Sequence, residues 1–179
     1  MEGLVFALAE LSDAKSIERL RNSSDSDLAT KLGLPYAGDR PRLHSIKERI
    51  RLADTEFLRK TTLFVARCDG EVLGSVAVST WPPGFWKKSY WEEPGSGALG
   101  VFGLMVLPER QRQGVGSFLM AEVEQLAQEH GLPFVRLDAY ERNPISNGFY
   151  QAIGYSKRAV INLRGTGLVL YEKKVWPPS

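Results

Sequence analysis

The sequence has little of what several common kinds of site need. It contains one cysteine, Cys68, and two histidines, His44 and His130, among 179 residues. One cysteine excludes an intramolecular disulfide. So few cysteines and histidines also fall short of the ligands that zinc usually takes. The sequence therefore predicts a protein without a metal site.

Long apolar runs and a strong excess of charge are missing too. No run approaches the ~20 apolar residues of a membrane-spanning helix, and residues 1–11 lack the basic stretch and the cleavage site of a secretory signal. The net charge is +2, with lysine and arginine spread over the whole chain. Such a balance disfavours nucleic-acid binding. We expect a cytoplasmic protein with neither a membrane nor a nucleic-acid partner.

What is present is an ordinary globular composition. Hydrophobic residues make up 43% of the chain and charged residues 25%, which excludes a disordered or fibrous protein. The length suits a single domain with a core of its own. We therefore expect one domain over residues 1–179.

The first part of the chain alternates short apolar runs with polar ones. Residues 3–9 predict a strand, and residues 13–21 predict a helix that Ser12 caps. Residues 23–42 are polar and interrupted by glycine and proline, which predicts a loop. A capping-box pattern then opens a second helix over residues 45–52.

A hairpin and a long aromatic loop follow. Residues 62–68 and 72–79 are β-rich runs on either side of Asp69-Gly70, which is a strong hairpin signal because the turn needs positive φ. Residues 81–97 then carry Trp81, Phe85, Trp86 and Trp91. Three interpretations of this loop stay open: an apolar or cationic acceptor pocket, a cover for the sheet, or a homodimer contact.

The remaining pattern predicts alternating strands and helices. They comprise a strand over 98–106, a helix over 115–130, a strand over 134–140, a short helix over 144–153, and a hairpin over 156–162 and 168–174. The resulting order is β-α-α-β-β-β-α-β-α-β-β. It predicts an α/β fold with a mixed sheet.

One turn carries a glycine pattern that suits phosphate binding. Gln111-x-x-Gly114-x-Gly116 joins the predicted strand to the start of the long helix. The first N–H groups of a helix have no intrahelical partner, and the helix dipole adds positive charge there. Glycine lets a diphosphate approach those donors, and Arg110 and Arg112 add attraction. Taken alone, the pattern is equally compatible with an ordinary strand-to-helix turn.

A second motif stands further along the chain, in Asn143-Pro-Ile-Ser-Asn-Gly-Phe-Tyr-Gln-Ala-Ile-Gly-Tyr155. With the first, it resembles the two signatures of the GNAT superfamily of N-acetyltransferases. The first signature is matched by Val106, Pro108, Gln111, Gly114 and Gly116, and the second by Asn143, Phe149, Tyr150, Gly154 and Tyr155. Ser146 stands where the family usually has alanine. The resemblance covers residues 98–155 and implies the GNAT fold, in which a central, mostly antiparallel sheet has helices on both faces.

The resemblance also implies a cofactor site and an acid. Backbone N–H groups from Gln111 to Ser117 would hold the pyrophosphate of acetyl-CoA, and Leu104 and Val106 would pair with its pantetheine arm. Tyr150 would protonate the departing thiolate. The implied cofactor residues are Leu104, Met105, Val106, Gln111, Arg112, Gln113, Gly114, Val115, Gly116, Ser117 and Asn143. For Asn143, capping the following helix is an equally good interpretation and compatible with the first.

The base that many GNAT relatives carry is absent. Those relatives place a carboxylate three or four residues ahead of the valine of the first motif, where this chain has Gly103 and Phe102. Since an attacking amine must lose a proton, some other group or a water molecule must accept it. The candidates are Glu92, Glu93, Asp138 and Glu141, each of which is otherwise read as an exposed, solvated carboxylate.

The expected activity is direct transfer of an acetyl group from acetyl-CoA to a primary amine of a small molecule or peptide. No acyl-enzyme is expected, since Cys68 is far from both motifs and has no histidine beside it. Two alternatives stay open. One is a non-catalytic CoA-binding regulatory module, and the other is a peptide or protein N-terminal acetyltransferase.

Overall fold

The computed structural model describes residues 3–33, 43–53 and 55–176. The elements are β1 (Val5–Leu8), α1 (Ala14–Leu32), α2 (Leu43–Leu52), β2 (Thr62–Cys68), β3 (Glu71–Ser79), β4 (Ala98–Val106), α3 (Val115–Glu129), β5 (Phe134–Tyr140), α4 (Pro144–Ala152), β6 (Ser156–Leu163) and β7 (Thr166–Lys174). Their succession is the predicted one, and the α/β fold class is confirmed. In the described part of the chain, no helix combines the length and apolar character needed to cross a membrane.

The strands form one seven-stranded mixed sheet in the order β1-β2-β3-β4-β5-β7-β6. Strands β4 and β5 are parallel, whereas β1–β2, β2–β3, β5–β7 and β6–β7 are antiparallel pairs. A parallel pair needs a crossover connection, and here that connection contains α3. The mostly antiparallel sheet is as predicted.

The chain divides into two compact units, one of residues 1–79 with 103–122 and the other of residues 80–102 with 123–179. Each has a core of its own. The first unit buries Ile17, Leu20, Ile46, Val65 and Leu119, and the second buries Leu99, Phe134, Leu137, Leu170 and Tyr171. The assignment of residues 1–179 to one domain stays a prediction.

The tight turn between β2 and β3 has the predicted chemistry. Asp69 has φ 49° and Gly70 has φ 80°. Two consecutive positive φ values are what a two-residue hairpin turn needs to match the twist of its strands. The local signal therefore placed this hairpin correctly.

Helix α1 is longer than predicted. It continues to Leu32, where the sequence pattern indicated a loop from residue 23. The reason is that, among the side chains that the structure describes, the buried positions of α1 after Leu20 are polar: Arg21 and Asp25 are 8% and 7% exposed, at helical spacing. The hydrophobic pattern thus stops before the helix does. The rest of that predicted loop, residues 34–42, lies outside the described residues.

Candidate active site

Strand β4 changes character at Gly103. Its parallel pairing with β5 runs from Ala98↔Phe134 to Val101↔Leu137 in the described residues and stops there. Gly103 then has φ +61°, a left-handed conformation that interrupts the extended strand. Leu104 and Val106 stand beyond the last pair. Their backbone groups are therefore not used in the β4–β5 ladder.

The other edge of β4 is tightly packed against β3. A Cβ atom at Gly74 would lie 2.9 Å from the carbonyl oxygen of Met105, which only glycine avoids. The Leu107 N–H donates to the carbonyl of Leu73 at 2.9 Å. Met105 itself is buried, and its side chain belongs to the core. Its predicted contact with a cofactor can thus involve only the backbone.

The turn after β4 is held by its own side chains and by unusual backbone angles. Pro108–Arg110 form a single 3-10 turn, and the Gln113 side chain donates to the Glu109 carbonyl at 2.8 Å. Arg112 has φ +58° and Gly114 has φ +89°. These left-handed residues turn the chain sharply into α3.

The start of α3 exposes backbone donors. The first i→i−4 bond of the helix runs from the Phe118 N–H to the Gly114 carbonyl at 2.9 Å, so the N–H groups before it are not needed by the helix. A Cβ atom at Gly114 would meet nothing within 4 Å. Residues 111–114 and Ser117 are exposed, while the Val115 side chain is buried. The arrangement fits a diphosphate held by main-chain donors.

The two arginines of the turn differ in how much of their positive charge is offset by a neighbour. Arg110 forms an ion pair with Glu71 at 3.7 Å, and both side chains are about half exposed. An exposed pair of this kind is weak, yet it offsets part of the charge of Arg110. Arg112 lies exposed within the turn.

Tyr150 lies on α4 in a pocket of aromatic rings. It is 7% exposed, and its ring centroid lies 5.2 Å from that of Phe149, 5.9 Å from Tyr155 and 5.8 Å from Tyr171. Burial raises the pKa of Tyr150, and the negative charge of Asp138 raises it further. The phenol therefore keeps its proton at neutral pH, as an acid must.

Asn143 has the capping role. Its Oδ1 accepts hydrogen bonds from the backbone N–H groups of Ile145 and Ser146, both at 3.2 Å. Pro144 takes the first helical position, where its missing N–H has no cost. The side chain that the resemblance assigns to the cofactor thus fixes the start of α4.

Among the four base candidates, Asp138 stands apart. It lies on β5, and its Oδ1 accepts a hydrogen bond from the Trp86 indole nitrogen at 3.1 Å. Burial raises the pKa of Asp138 from 3.8 to about 6, against the opposing effect of the Trp86 hydrogen bond. A carboxylate with this pKa can accept a proton near neutral pH.

The other three candidates are solvated or engaged. Glu92 is 61% exposed and forms an ion pair with Arg158. Glu93 pairs with Lys174 at 3.0 Å, and the hydrogen bond from Lys174 lowers its pKa. Glu141 is exposed. Across residues 3–33, 43–53 and 55–176, no group of three or more histidine, cysteine, aspartate or glutamate residues could hold a metal ion.

Comparison with known proteins shows the family of the chain. Residues 31–155 match the model of the acetyltransferase (GNAT) family. The chain belongs to the GNAT acetyltransferase family. It is accordingly an acyltransferase. The turn that contains Gly114 and the helix α4 that carries Tyr150 both lie inside the matched range.

Solved structures of several acetyltransferases share the fold. The ribosomal-protein-S5-alanine acetyltransferase of Vibrio fischeri is similar with 18% identity and a TM-score of 0.73, over 100% of this chain and 97% of that one. The PaiA N-acetyltransferase of Thermoplasma acidophilum, in complex with coenzyme A, has 15% identity and a TM-score of 0.70, over 96% and 99%. A GNAT acetyltransferase of Listeria monocytogenes has 19% identity and a TM-score of 0.70, over 96% and 94%.

The aromatic loop of this GNAT protein covers part of its sheet. Trp86 and Trp91 are each 7% exposed and pack with Leu170. The Trp86 ring stacks on Phe102 with centroids 5.4 Å apart and an interplanar angle of 22°. Of the three interpretations, the cover for the sheet is therefore the one that these contacts describe. Trp81, in contrast, is 75% exposed.

The position of the usual GNAT carboxylate has acquired a packing role. Phe102 supplies the ring on which Trp86 stacks, and Gly103 supplies a positive φ. Neither role suits a glutamate. Trp86 in turn donates a hydrogen bond to Asp138. No local sequence pattern indicates this contact, because the two residues are far apart in the chain.

A buried ion pair anchors the aromatic loop. Glu172 on β7 is 1% exposed and accepts from the Arg136 Nε at 2.7 Å and from the Glu92 N–H at 3.1 Å. The Arg136 Nη2 also donates to the Glu93 carbonyl at 3.0 Å. The loop backbone is thus tied to two strands of the sheet.

Asn147 is a residue of the site that sequence reasoning missed. Its Nδ2 donates to the carbonyls of Tyr140 at 2.9 Å and Asn143 at 2.7 Å, and its Oδ1 accepts from the Tyr171 hydroxyl at 2.9 Å. These bonds join the end of β5, the start of α4 and the ring beside Tyr150. The one available signal was an asparagine inside a helix, where its propensity is poor.

Proposed function

We propose that this GNAT protein transfers an acetyl group from acetyl-CoA directly to a primary amine. Acetyl-CoA supplies the acetyl group as a thioester, whose carbonyl carbon the neutral amine attacks with loss of the thiolate. The observation that carries the proposal is a buried phenol at Tyr150 that keeps its proton, together with a partly buried carboxylate at Asp138 whose charge acts on that phenol and whose own pKa is raised to about 6. A base and an acid are what this transfer needs.

The turn before α3 is proposed to hold the cosubstrate. The N–H groups between Gln111 and Ser117 would donate to the pyrophosphate, and the exposed Arg112 would add positive charge. The backbone of Leu104 and Val106, beyond the β4–β5 ladder, would pair with the pantetheine arm. The coenzyme A in the related structure from Thermoplasma acidophilum supports this choice of cosubstrate.

Asp138 is proposed as the general base. An alkyl amine with a pKa near 10 is ~99.9% protonated at pH 7, so a proton must leave before attack. With a pKa of about 6, Asp138 is mostly ionised at pH 7 and yet holds a proton better than an ordinary carboxylate does. It therefore replaces the carboxylate that is absent at Phe102 and Gly103.

Tyr150 is proposed as the general acid, and its strength is coupled to Asp138. Burial raises the pKa of Tyr150 first, and the charge of Asp138 adds to it. When Asp138 accepts a proton, that charge disappears and the second contribution is removed. The phenol then donates more readily to the thiolate. The acid thus strengthens after the base has acted.

The proton balance closes. The ammonium form of the amine loses two protons on becoming an amide. Asp138 accepts the first proton and releases it to solvent after the thiolate has left, and the second passes to water as the nitrogen–carbon bond forms. The thiolate gains a proton from Tyr150, and water returns that second proton to Tyr150. The bond between carbon and sulfur breaks as the bond between nitrogen and carbon forms.

The catalytic test uses two variants and one control. Tyr150→Phe and Asp138→Asn should each lower kcat by about 10²–10⁴ with little change in CoA affinity. Glu141→Gln, an exposed carboxylate next to the end of β5, should leave kcat unchanged. Thiol release across a panel of amines and peptides measures the rate. Undiminished kcat in Tyr150→Phe would refute the acid, and no release with any acceptor would favour the CoA-binding module.

The cosubstrate test compares two residues at one position. Gly114→Asp and Gly114→Asn place side chains of similar size in the same left-handed backbone, and only aspartate adds a negative charge. Calorimetric titration with CoA should show at least tenfold weaker binding to Gly114→Asp than to Gly114→Asn. Equal affinities would contradict the proposed phosphate site.

A further inference from the structure

We propose that Trp86 is a positioning residue for Asp138: its indole N–H orients the carboxylate and sets how readily that carboxylate accepts a proton. The inference rests on the proposed role of Asp138 as general base. It assigns a catalytic purpose to the aromatic loop, which otherwise serves only as cover. The two residues are 52 positions apart in sequence and meet only in the folded chain.

The geometry holds the indole in place. Its Nε1 lies 3.1 Å from the Oδ1 atom of Asp138. One ring face stacks on Phe102, and Trp91 packs against it edge-on with centroids 5.4 Å apart. Leu170, the residue opposite Asp138 on β7, completes the cluster. An indole packed on these sides cannot turn its N–H away from the carboxylate.

The chemistry of the donor matters as much as its place. The indole N–H is a donor only and does not titrate, so it stabilises the ionised carboxylate without competing for its proton. Burial raises the pKa of Asp138, and the Trp86 hydrogen bond lowers it. Trp86 therefore keeps a partly buried carboxylate ionised at the pH where it must act as a base.

Other charged groups around Asp138 are accounted for. On α4, Tyr150 is a neutral phenol whose pKa Asp138 itself raises. On β5, Arg136 shares the strand face of Asp138 at i−2 and pairs with Glu172 of β7 at 2.7 Å. Arg158 of β6 lies 3.0 Å from the same Glu172 carboxylate. These charges pair with one another, and within the described residues Trp86 is the side chain that donates a hydrogen bond to Asp138.

The loop backbone supports the indole. Arg136 and Glu172 bind the main chain at Glu92 and Glu93, a few residues after Trp86. The loop is thus held at two places, by the ring cluster around Trp86 and by the Arg136–Glu172 ion pair. Loss of the indole N–H alone should leave this seating intact, because the contacts of Phe102 and Trp91 are with ring faces and edges.

The activity test compares two tryptophans of the same cluster. Trp86→Phe keeps a ring on Phe102 and removes the donor, whereas Trp91→Phe removes similar ring area and no bond to Asp138. In Trp86→Phe, the acidic limb of the pH profile of kcat/KM should move to higher pH by roughly one unit, a tenfold change in the proton equilibrium. Trp91→Phe should leave the limb in place. An unmoved limb in Trp86→Phe, or equal movement in both variants, would overturn the proposal.

A second measurement needs no substrate and begins with the wild-type protein. In the wild-type protein without ligand, tryptophan emission should change with a midpoint near pH 6, following the Asp138 carboxyl beside Trp86. Asp138→Asn and Trp86→Phe should both abolish that transition, and Trp91→Phe should retain it. If wild-type emission shows no transition, the Trp86–Asp138 contact is refuted.

The two failures are distinguishable. Suppose that the emission transition depends on Trp86 and Asp138 but that Asp138→Asn is fully active. The contact between the two residues would then stand, whereas the roles of Asp138 as base and of Trp86 as positioning residue would be refuted. Activity loss in Asp138→Asn with an unmoved pH limb in Trp86→Phe would keep the base and refute Trp86 alone.

Discussion

Replacing Asp138 by asparagine should make the protein less active and more stable. Burial raises the pKa of Asp138 from 3.8 to about 6, a difference of about 2 units. At 1.36 kcal/mol per unit, ionising this carboxyl in the folded protein costs about 3 kcal/mol more than in the unfolded chain. Asparagine has the same size, carries no charge, and its oxygen still accepts the Trp86 hydrogen bond.

The pH dependence gives the prediction its sign. The folded-state pKa of this acid is above its unfolded value, so its favourable contribution is complete below about pH 4 and is lost as the pH rises through about 6. Asp138→Asn should therefore raise the free energy of unfolding by up to about 3 kcal/mol at pH 7.5 and change it little at pH 4. Urea unfolding at the two pH values measures this difference.

A neighbouring exposed carboxylate serves as the control for the stability of Asp138→Asn. Glu141→Gln removes an exposed carboxylate near the same strand and should change stability by less than about 0.5 kcal/mol at either pH. If Asp138→Asn is no more stable than the wild type at pH 7.5, or gains equally at pH 4, the carboxylate is not buried at a cost. The match between its basicity and the proposed reaction would then fail.

Three further substitutions test the frame around the site. Gly103→Ala should destabilise the fold by about 1 kcal/mol, since alanine is strained at φ +61°; an unchanged urea midpoint would contradict this. Glu172→Gln should lower the free energy of unfolding by about 3 kcal/mol because it leaves the buried Arg136 without its counter-ion. Adding Arg136→Met to this variant should restore part of the lost stability, which thermal unfolding measures. Asn143→Ala should cost about 1 kcal/mol through the lost helix cap, measured by urea unfolding, and no loss would mean that Asn143 serves only a ligand.

Local chemistry explains which elements could be predicted. The hairpin at Asp69-Gly70, the apolar strand β4 and the helix capped by Asn143 all carry their signals within a few neighbouring residues. Helix α1 was predicted too short because the later buried positions among its described side chains are Arg21 and Asp25. A hydrophobic pattern cannot reveal a helix face that is polar and yet buried.

The chain order alone determined the succession of elements, the glycine turn before α3 and the phenol at Tyr150, because each depends on residue types at short spacing. Only the tertiary structure distinguished Asp138 from Glu92, Glu93 and Glu141. The basicity of a carboxylate depends on how much water surrounds it. For Asp138, that water is excluded by residues brought in from other strands and from the loop that carries Trp86.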